Sequence, residues 1–199
     1  MSASNGTAPR ALTPQQLLRK RADGETVLHD APEAAQTHTL SILIENHAGA
    51  LNRVVNLFSA RNLNLDSVSV GPTDDPTVSR LTVVTTGTRR QVRQAVRLVK
   101  QLLDVLALDE FVPGDPVVER ELCLAKFEAT AAERAAILEL ARGLGASVVH
   151  ADRGAVTVEL TGTASEIDAF IEVASEHGLL EVARSGRLAF HRQRHLSLG

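Results

Sequence analysis

Four stretches of this chain carry the side-chain pairing that closes a helix start, and a fifth helix start lacks it. The first turn of an α-helix has N–H groups with no partner inside the helix, and side chains, water or ligands must meet them. In Thr13-Pro14-Gln15-Gln16, Thr88-Arg89-Arg90-Gln91, Thr130-Ala131-Ala132-Glu133 and Thr163-Ala164-Ser165-Glu166, Thr stands three residues before Gln or Glu. That is the capping box, in which two side chains satisfy these donors reciprocally. The stretch Glu45-Asn46-His47-Ala48-Gly49-Ala50-Leu51 has no box. Asn46 is its candidate cap, and Gly49 leaves the backbone open to close approach. Uncapped N–H groups at a helix start suit an anion such as a carboxylate. The alternative is an unusual loop whose donors are met by water.

Other chemistry-bearing residues offer less. Asp74 and Asp75 are adjacent carboxylates in the turn-rich Gly71–Pro76 stretch, with no nucleophile or base beside them. Loop solubility is the better reading there. No Gly-rich phosphate loop and no triad pattern is visible, so no catalytic residue is expected. The seven histidines are scattered along the chain, and no metal site is expected. Cys123 lies in the apolar run Leu122-Cys123-Leu124-Ala125 and reads as a small buried hydrophobe. A lone cysteine forms no internal disulfide and fits a reducing compartment. Arg89, Arg93, Arg97 and Lys100 fall on one helix face, where a solvated stripe is a better reading than a partner or nucleic-acid surface.

The elements that must position the open helix start follow from periodicity. Leu40, Ile42 and Ile44 alternate with Thr39, Ser41 and Leu43, which predicts a half-buried strand. Leu51, Val54, Val55 and Phe58 mark one face of a helix. Asn62 sits where that helix must end and tolerates a left-handed cap. Leu63–Val70 is extended, with a shift of alternation near Asp66 that predicts a bulge. Leu81–Thr85 is a strand, Val92, Val96, Val99 and Leu103 mark a helix, and Val105–Val112 is a strand. Pro113-Gly114-Asp115-Pro116 breaks the chain. The order then repeats: a strand at Leu122–Phe127, a helix marked by Ile137, Leu140, Ala141 and Leu144, strands at Ser147–His150 and Val156–Leu160, a helix marked by Ile167, Phe170, Ile171 and Ala174, and a strand or hairpin in Leu179–Ala189.

Two consecutive βαββαβ units predict an α+β protein of two tandem ferredoxin-like domains, over residues 38–113 and 117–192. Residues 1–37 form a polar extension with a short helix from Pro14 to about Ala22, and 193–199 a tail. Each sheet has helices on one face, and its other face needs a cover, which is a reason to expect oligomers.

Composition narrows the function classes. The net charge of −3, with no basic half, argues against a phosphate-neutralising nucleic-acid binder. Tandem RNA-recognition domains share the element order but need aromatics on their central strands. Leu40-Ser41-Ile42-Leu43-Ile44 and Leu81-Thr82-Val83-Val84-Thr85 carry none. No apolar run reaches the ~20 residues that span a bilayer, and the acidic, polar N-terminus is unlike a secretory or transit signal. A cytoplasmic protein is expected, with neither nucleic acid nor membrane as partner.

The stretches Glu45–Leu51, Leu57-Phe58-Ser59-Ala60-Arg61-Asn62-Leu63-Asn64-Leu65-Asp66-Ser67 and Gly71–Arg80, taken in order, resemble the ACT domain of acetolactate synthase small subunits. The second unit is similar too, through Val118–Leu122 with Lys126, Leu160–Thr163 and Val182–Gly186. The resemblance implies a non-catalytic regulatory subunit that activates a separate catalytic subunit and confers feedback inhibition by valine in branched-chain amino-acid biosynthesis. It implies a homodimer through the ACT domains. Effector binding falls to Asn46, His47, Ala48, Gly49, Ala50 and Leu51 of one protomer and Asn64 of the other. Read without the resemblance, Asn64 is also consistent with a turn residue at a strand edge. Thiamine diphosphate, FAD and Mg²⁺ would belong to the catalytic partner, with no cofactor in this chain. A free-standing ACT-domain sensor for a different enzyme is the alternative. The chain departs from the family at Asn62, where Gly is frequent, and at its N-terminal extension. Position 47 varies within the family, and His47 would make effector affinity depend on pH.

Overall fold

The computed structural model describes residues 34–196, and from Ala35 onward these fall in one compact unit. The expected Thr13 capping box and the helix from Pro14 to Ala22 lie outside the described residues. The order is β1 (Gln36–Glu45), α1 (Ala50–Ser59), β2 (Asn64–Pro72), β3 (Val78–Gly87), α2 (Arg89–Val99) and β4 (Val105–Phe111). Then come β5 (Val117–Glu128), α3 (Ala131–Gly143), β6 (Ser147–Ala151), β7 (Ala155–Gly162), α4 (Ala164–Ser175), β8 (Leu179–Arg184) and β9 (Leu188–His191). The first sheet runs β2-β3-β1-β4 and the second β6-β7-β5-β8, with β9 paired to β5. All the pairings are antiparallel. This is the expected α+β, tandem ferredoxin-like arrangement.

Each sheet packs its helices over its own core. Leu40, Ile42 and Ile44 of β1 meet Val54 and Phe58 of α1, Leu81 and Val83 of β3, and Val92, Ala95 and Val99 of α2. Cys123, Ala125 and Phe127 of β5 meet Ile137, Ala141, Val158, Ile167, Phe170 and Ala174 in the second core. Cys123 is thus the buried hydrophobe expected, and desolvation pushes its thiol pKa up. Helices α2, α3 and α4 start at Thr88, Thr130 and Thr163, and all three capping boxes form. After α1, Asn62 takes a φ of 53°, and Leu63 N–H donates to Phe58 O at 3.1 Å, closing the helix as its sequence predicts. The β2–β3 register shifts between Leu65 and Ser67, so the bulge falls at Asp66.

Three expectations change. Leu103 is not a core position of α2: that helix stops at Val99, and Leu103 is 96 % exposed. The apolar spacing runs past the physical end of the helix. Strand β1 is not half-buried, since Ser41 and Leu43 are enclosed together with Leu40, Ile42 and Ile44. The reason also corrects the expectation of a bare far face on the first sheet. The chain after β8 crosses that face and covers much of it. Ser69 Oγ donates to Ser185 O at 2.8 Å, Arg187 N–H donates to Ser67 Oγ at 3.1 Å, and the Arg187 guanidinium donates to Thr39 Oγ1 at 3.2 Å. Leu188–His191 is not a hairpin with β8; it pairs with Val117–Arg120, the first residues of β5. Beside this junction, Arg184 forks onto the buried Glu121 at 2.6 and 3.0 Å and reaches Asp168 at 2.7 Å.

Candidate functional site

The loop between β1 and α1 is built around Gly49. It occupies the helix N-cap with φ 92°, a left-handed conformation that side chains resist, and no side chain caps the helix. Asn46 is therefore not the cap that its type suggests. Its N–H donates to Thr77 O at 2.7 Å and its Nδ2 to Pro76 O at 2.8 Å, which pins the β1–α1 loop to the loop before β3. No described residue donates to Asn46 Oδ1, which remains an acceptor on the surface. Ala50 N–H makes a long bond to His47 O at 3.3 Å. The next two N–H groups, of Leu51 and Asn52, meet no acceptor among the described residues. The open helix start read from the sequence is thus present, as two adjacent N–H donors without a side-chain cap.

Beneath the loop lies an ion-pair network that sequence spacing did not reveal. Asp104, 8 % exposed, receives both Arg53 Nε and Arg53 Nη2, the latter at 2.7 Å. His47 Nε2 stands 3.0 Å from Asp104 Oδ1 and 3.2 Å from Glu45 Oε2. Glu45 N–H donates to Asp104 O at 2.9 Å, tying the end of β1 to the turn before β4. His47 Nδ1 faces its neighbour's carbonyl, Ala48 O, at 3.0 Å. A carbonyl only accepts, so Nδ1 carries a proton. The Ala48 carbonyl, then Asp104 and Glu45, raise the His47 pKa above its ordinary value. Arg53 and His47 hold Asp104 below the usual carboxylate range. Glu45, His47 and Asp104 bring potential metal-ligand atoms within 4.8 Å of one another, but Arg53 already supplies Asp104 with its counter-charge. Arg53 Nη1 would lie 3.1 Å from a Cβ built on Gly49, so this cation sits directly under the open helix start.

A concavity of about 370 Å³ opens beside the loop, walled by Asn46 and His47 on one side and Asp75, Thr77 and Leu106 on the other. Asp75 proves to be a builder of this wall. Its Oδ1 accepts from Thr77 N–H at 2.8 Å and from Thr77 Oγ1 at 2.7 Å, and these bonds lower its pKa. Asn64 is elsewhere. It pairs with Thr86 at one end of the first sheet, whereas Glu45 pairs with Val78 at the other. Its Nδ2 donates to Asp66 Oδ1 at 2.9 Å across the bulge. Within one chain, residues 46–51 come together and Asn64 does not join them.

The remaining candidates resolve simply. Arg89, Arg93 and Arg97 of α2 and Lys100 at its C-cap are all exposed. No helix among the described residues is long and apolar enough to cross a membrane.

Two family models match: an AHAS small subunit-like ACT domain over residues 40–107, and the small subunit of acetolactate synthase over residues 120–193. A probable acetolactate synthase small subunit of Archaeoglobus fulgidus is 35 % identical over 155 residues, covering 78 % of this chain and 96 % of that protein. The acetolactate synthase isozyme 3 small subunit of Escherichia coli is 38 % identical over 154 residues, covering 77 % and 94 %. The crystal structure of the acetolactate synthase small subunit from Thermotoga maritima superposes with a TM-score of 0.74 at 28 % identity, covering 80 % of this chain and 99 % of that one. The chain belongs to the family of acetolactate synthase small subunits.

Proposed function

We propose that this chain is the regulatory subunit of an acetolactate synthase, activating a separate catalytic subunit and making it answer to valine. The observation that carries the sensing role is the helix start at Gly49. An amino acid brings a carboxylate that needs N–H donors and an ammonium that needs acceptors. Leu51 and Asn52 offer two open N–H groups with the Arg53 cation below, and Asn46 Oδ1 offers an acceptor. The helix dipole adds to the attraction for a carboxylate. The chemistry of the reaction belongs to the partner, with its thiamine diphosphate, FAD and Mg²⁺; this chain supplies control.

The site is completed by a second copy. Strand β2 is the outer strand of the first sheet, with Val68 37 % and Val70 49 % exposed. An open edge of this kind invites strand pairing. Antiparallel pairing of two β2 strands about Val68 sets Asn64 of one protomer beside Pro72 of the other. Pro72 pairs with Ser79, and Ser79 with Ile44, at the foot of the effector loop. This two-fold arrangement supports the assignment of Asn64 as a polar contact from the facing protomer. Calorimetric titration of the full chain with valine, leucine and isoleucine tests the reading: one saturable site per protomer is expected. No heat with any of the three rejects valine sensing, and co-purification of a different enzyme would favour a free-standing sensor.

A further inference from the structure

A second concavity, of about 180 Å³, lies on the far face of the first sheet, where the chain folds back after β9. Its floor is Arg80, on the central strand β3, with the guanidinium turned away from the helices. Arg80 Nη1 donates to Ser41 Oγ at 2.7 Å, and Ser41 is 1 % exposed. That partner is neutral, and no carboxylate among the described residues lies within 4 Å of Arg80. The wall is the turn after β9. His191 Nδ1 accepts from Gln193 N–H at 3.2 Å and from Arg194 N–H at 3.3 Å, and Arg192 N–H donates to Pro116 O at 2.8 Å. The backbone under Arg192 and Arg194 is therefore held from two sides. Because Nδ1 accepts, the His191 proton sits on Nε2, which makes this imidazole a donor. Arg194 reaches Asp109 only at 3.7 Å, and Asp109 is the single carboxylate among the lining residues. Three arginines thus converge with one acid in a chain whose net charge is −3, so the cluster does not reflect general basicity.

We propose that this concavity binds a multiply charged oxyanion, a phosphate or pyrophosphate group, on Arg80, Arg192 and Arg194. Guanidinium forks match phosphate oxygens two at a time. Three cations against one carboxylate leave an excess positive charge that a dianion neutralises. A zwitterionic amino acid would bring its ammonium among three cations, so this site does not compete for the effector. The exposed ring of Phe190 and that of Phe111 form an apolar rim, which gives a phosphate ester a surface that free phosphate does not use. The proposal is independent of the valine reading.

The test is calorimetry on the full chain at fixed ionic strength, with inorganic phosphate, pyrophosphate and a nucleoside diphosphate as probes and sulfate as a control. Saturable binding of pyrophosphate is expected, weakened about 10-fold or more by Arg192→Gln and by Arg80→Gln, as loss of one charge-assisted contact requires. Asp109→Asn removes the competing carboxylate and tightens binding, which provides a readout even if Arg80→Gln fails to fold. A nucleoside diphosphate that binds more tightly than pyrophosphate identifies an ester as the ligand, and equal affinity identifies the free anion. Equal affinity for sulfate and pyrophosphate, no effect of Arg192→Gln, or no tightening by Asp109→Asn would each overturn the proposal.

Discussion

Gly49 shows both the reach and the limit of sequence reading at the scale of one residue. The missing capping box marked this helix start as open, and it is. A side chain near a helix N-terminus looks harmless from the sequence, and an acidic one even favourable. The φ of 92° removes that tolerance, because L residues in the left-handed region are strained by about 1–2 kcal/mol. Gly49→Asp should therefore melt a few degrees lower, and its carboxylate would take up Arg53 and the open N–H groups. Valine affinity should fall by about 100-fold. Gly49→Ala carries the same strain without the charge and should lose less affinity; equal loss in both would place strain, not charge, at the centre of the effect. The network below was illegible, because Asp104 is 51 residues from Arg53 and 57 from His47 and no local pattern links them. It makes a signed prediction. His47 has a raised pKa, so its contribution to stability is full below its unfolded-state pKa and fades as pH rises through the raised value. Asp104 has a lowered pKa, so its contribution is full above the ordinary carboxylate range and fades as pH falls through the lowered value. An NMR titration of His47 should show the raised pKa, and Asp104→Asn should bring it down. An unchanged titration in that variant would mean that the two groups do not interact.

At the scale of elements, local chemistry was readable and the reach of one element over another was not. The three Thr-to-Gln or Thr-to-Glu boxes, the left-handed Asn62 and the bulge at Asp66 are decided by neighbours within a few residues, and all three features form. The burial of Ser41 and Leu43 is decided by residues after Arg184, more than a hundred positions away, and alternation in β1 could not reveal it. Gly186 is the hinge of that cover. Its φ is 76°, and a Cβ there would stand 2.6 Å from Ser67 Oγ. Gly186→Ala therefore meets both backbone strain and a clash with β2. It should destabilise the chain by about 1–3 kcal/mol and raise hydrogen exchange in β1 and β2, whose far face loses its cover. Unchanged exchange in those strands would show that the segment after β8 does not protect the first sheet.

At the scale of the whole molecule, the repeat of βαββαβ gave the architecture, and the junction between the repeats changes how function can be dissected. The simplest division of labour puts sensing in the first unit and contact with the catalytic partner in the second. Cutting the chain at residue 113 would also strip Ser185, Arg187 and β9 from the first sheet, so a fragment cannot separate the two roles cleanly. Point changes in the full chain can. The exposed β2 edge predicts a dimer in solution at micromolar concentration by sedimentation. Val68→Lys places two like charges opposite each other at the two-fold axis and should shift the chain toward monomer and weaken valine binding together. A dimer as tight as the parent's would place the interface elsewhere. The central claim is control without catalysis, and the most direct test is pyruvate turnover by the catalytic subunit, by this chain, and by the two together over a range of valine. This chain alone should show no turnover, the pair should turn over faster than the catalytic subunit, and valine should inhibit the pair in a way that Gly49→Asp abolishes while activation persists. Turnover by this chain alone, or a pair whose rate is indifferent to both the chain and valine, would contradict that claim.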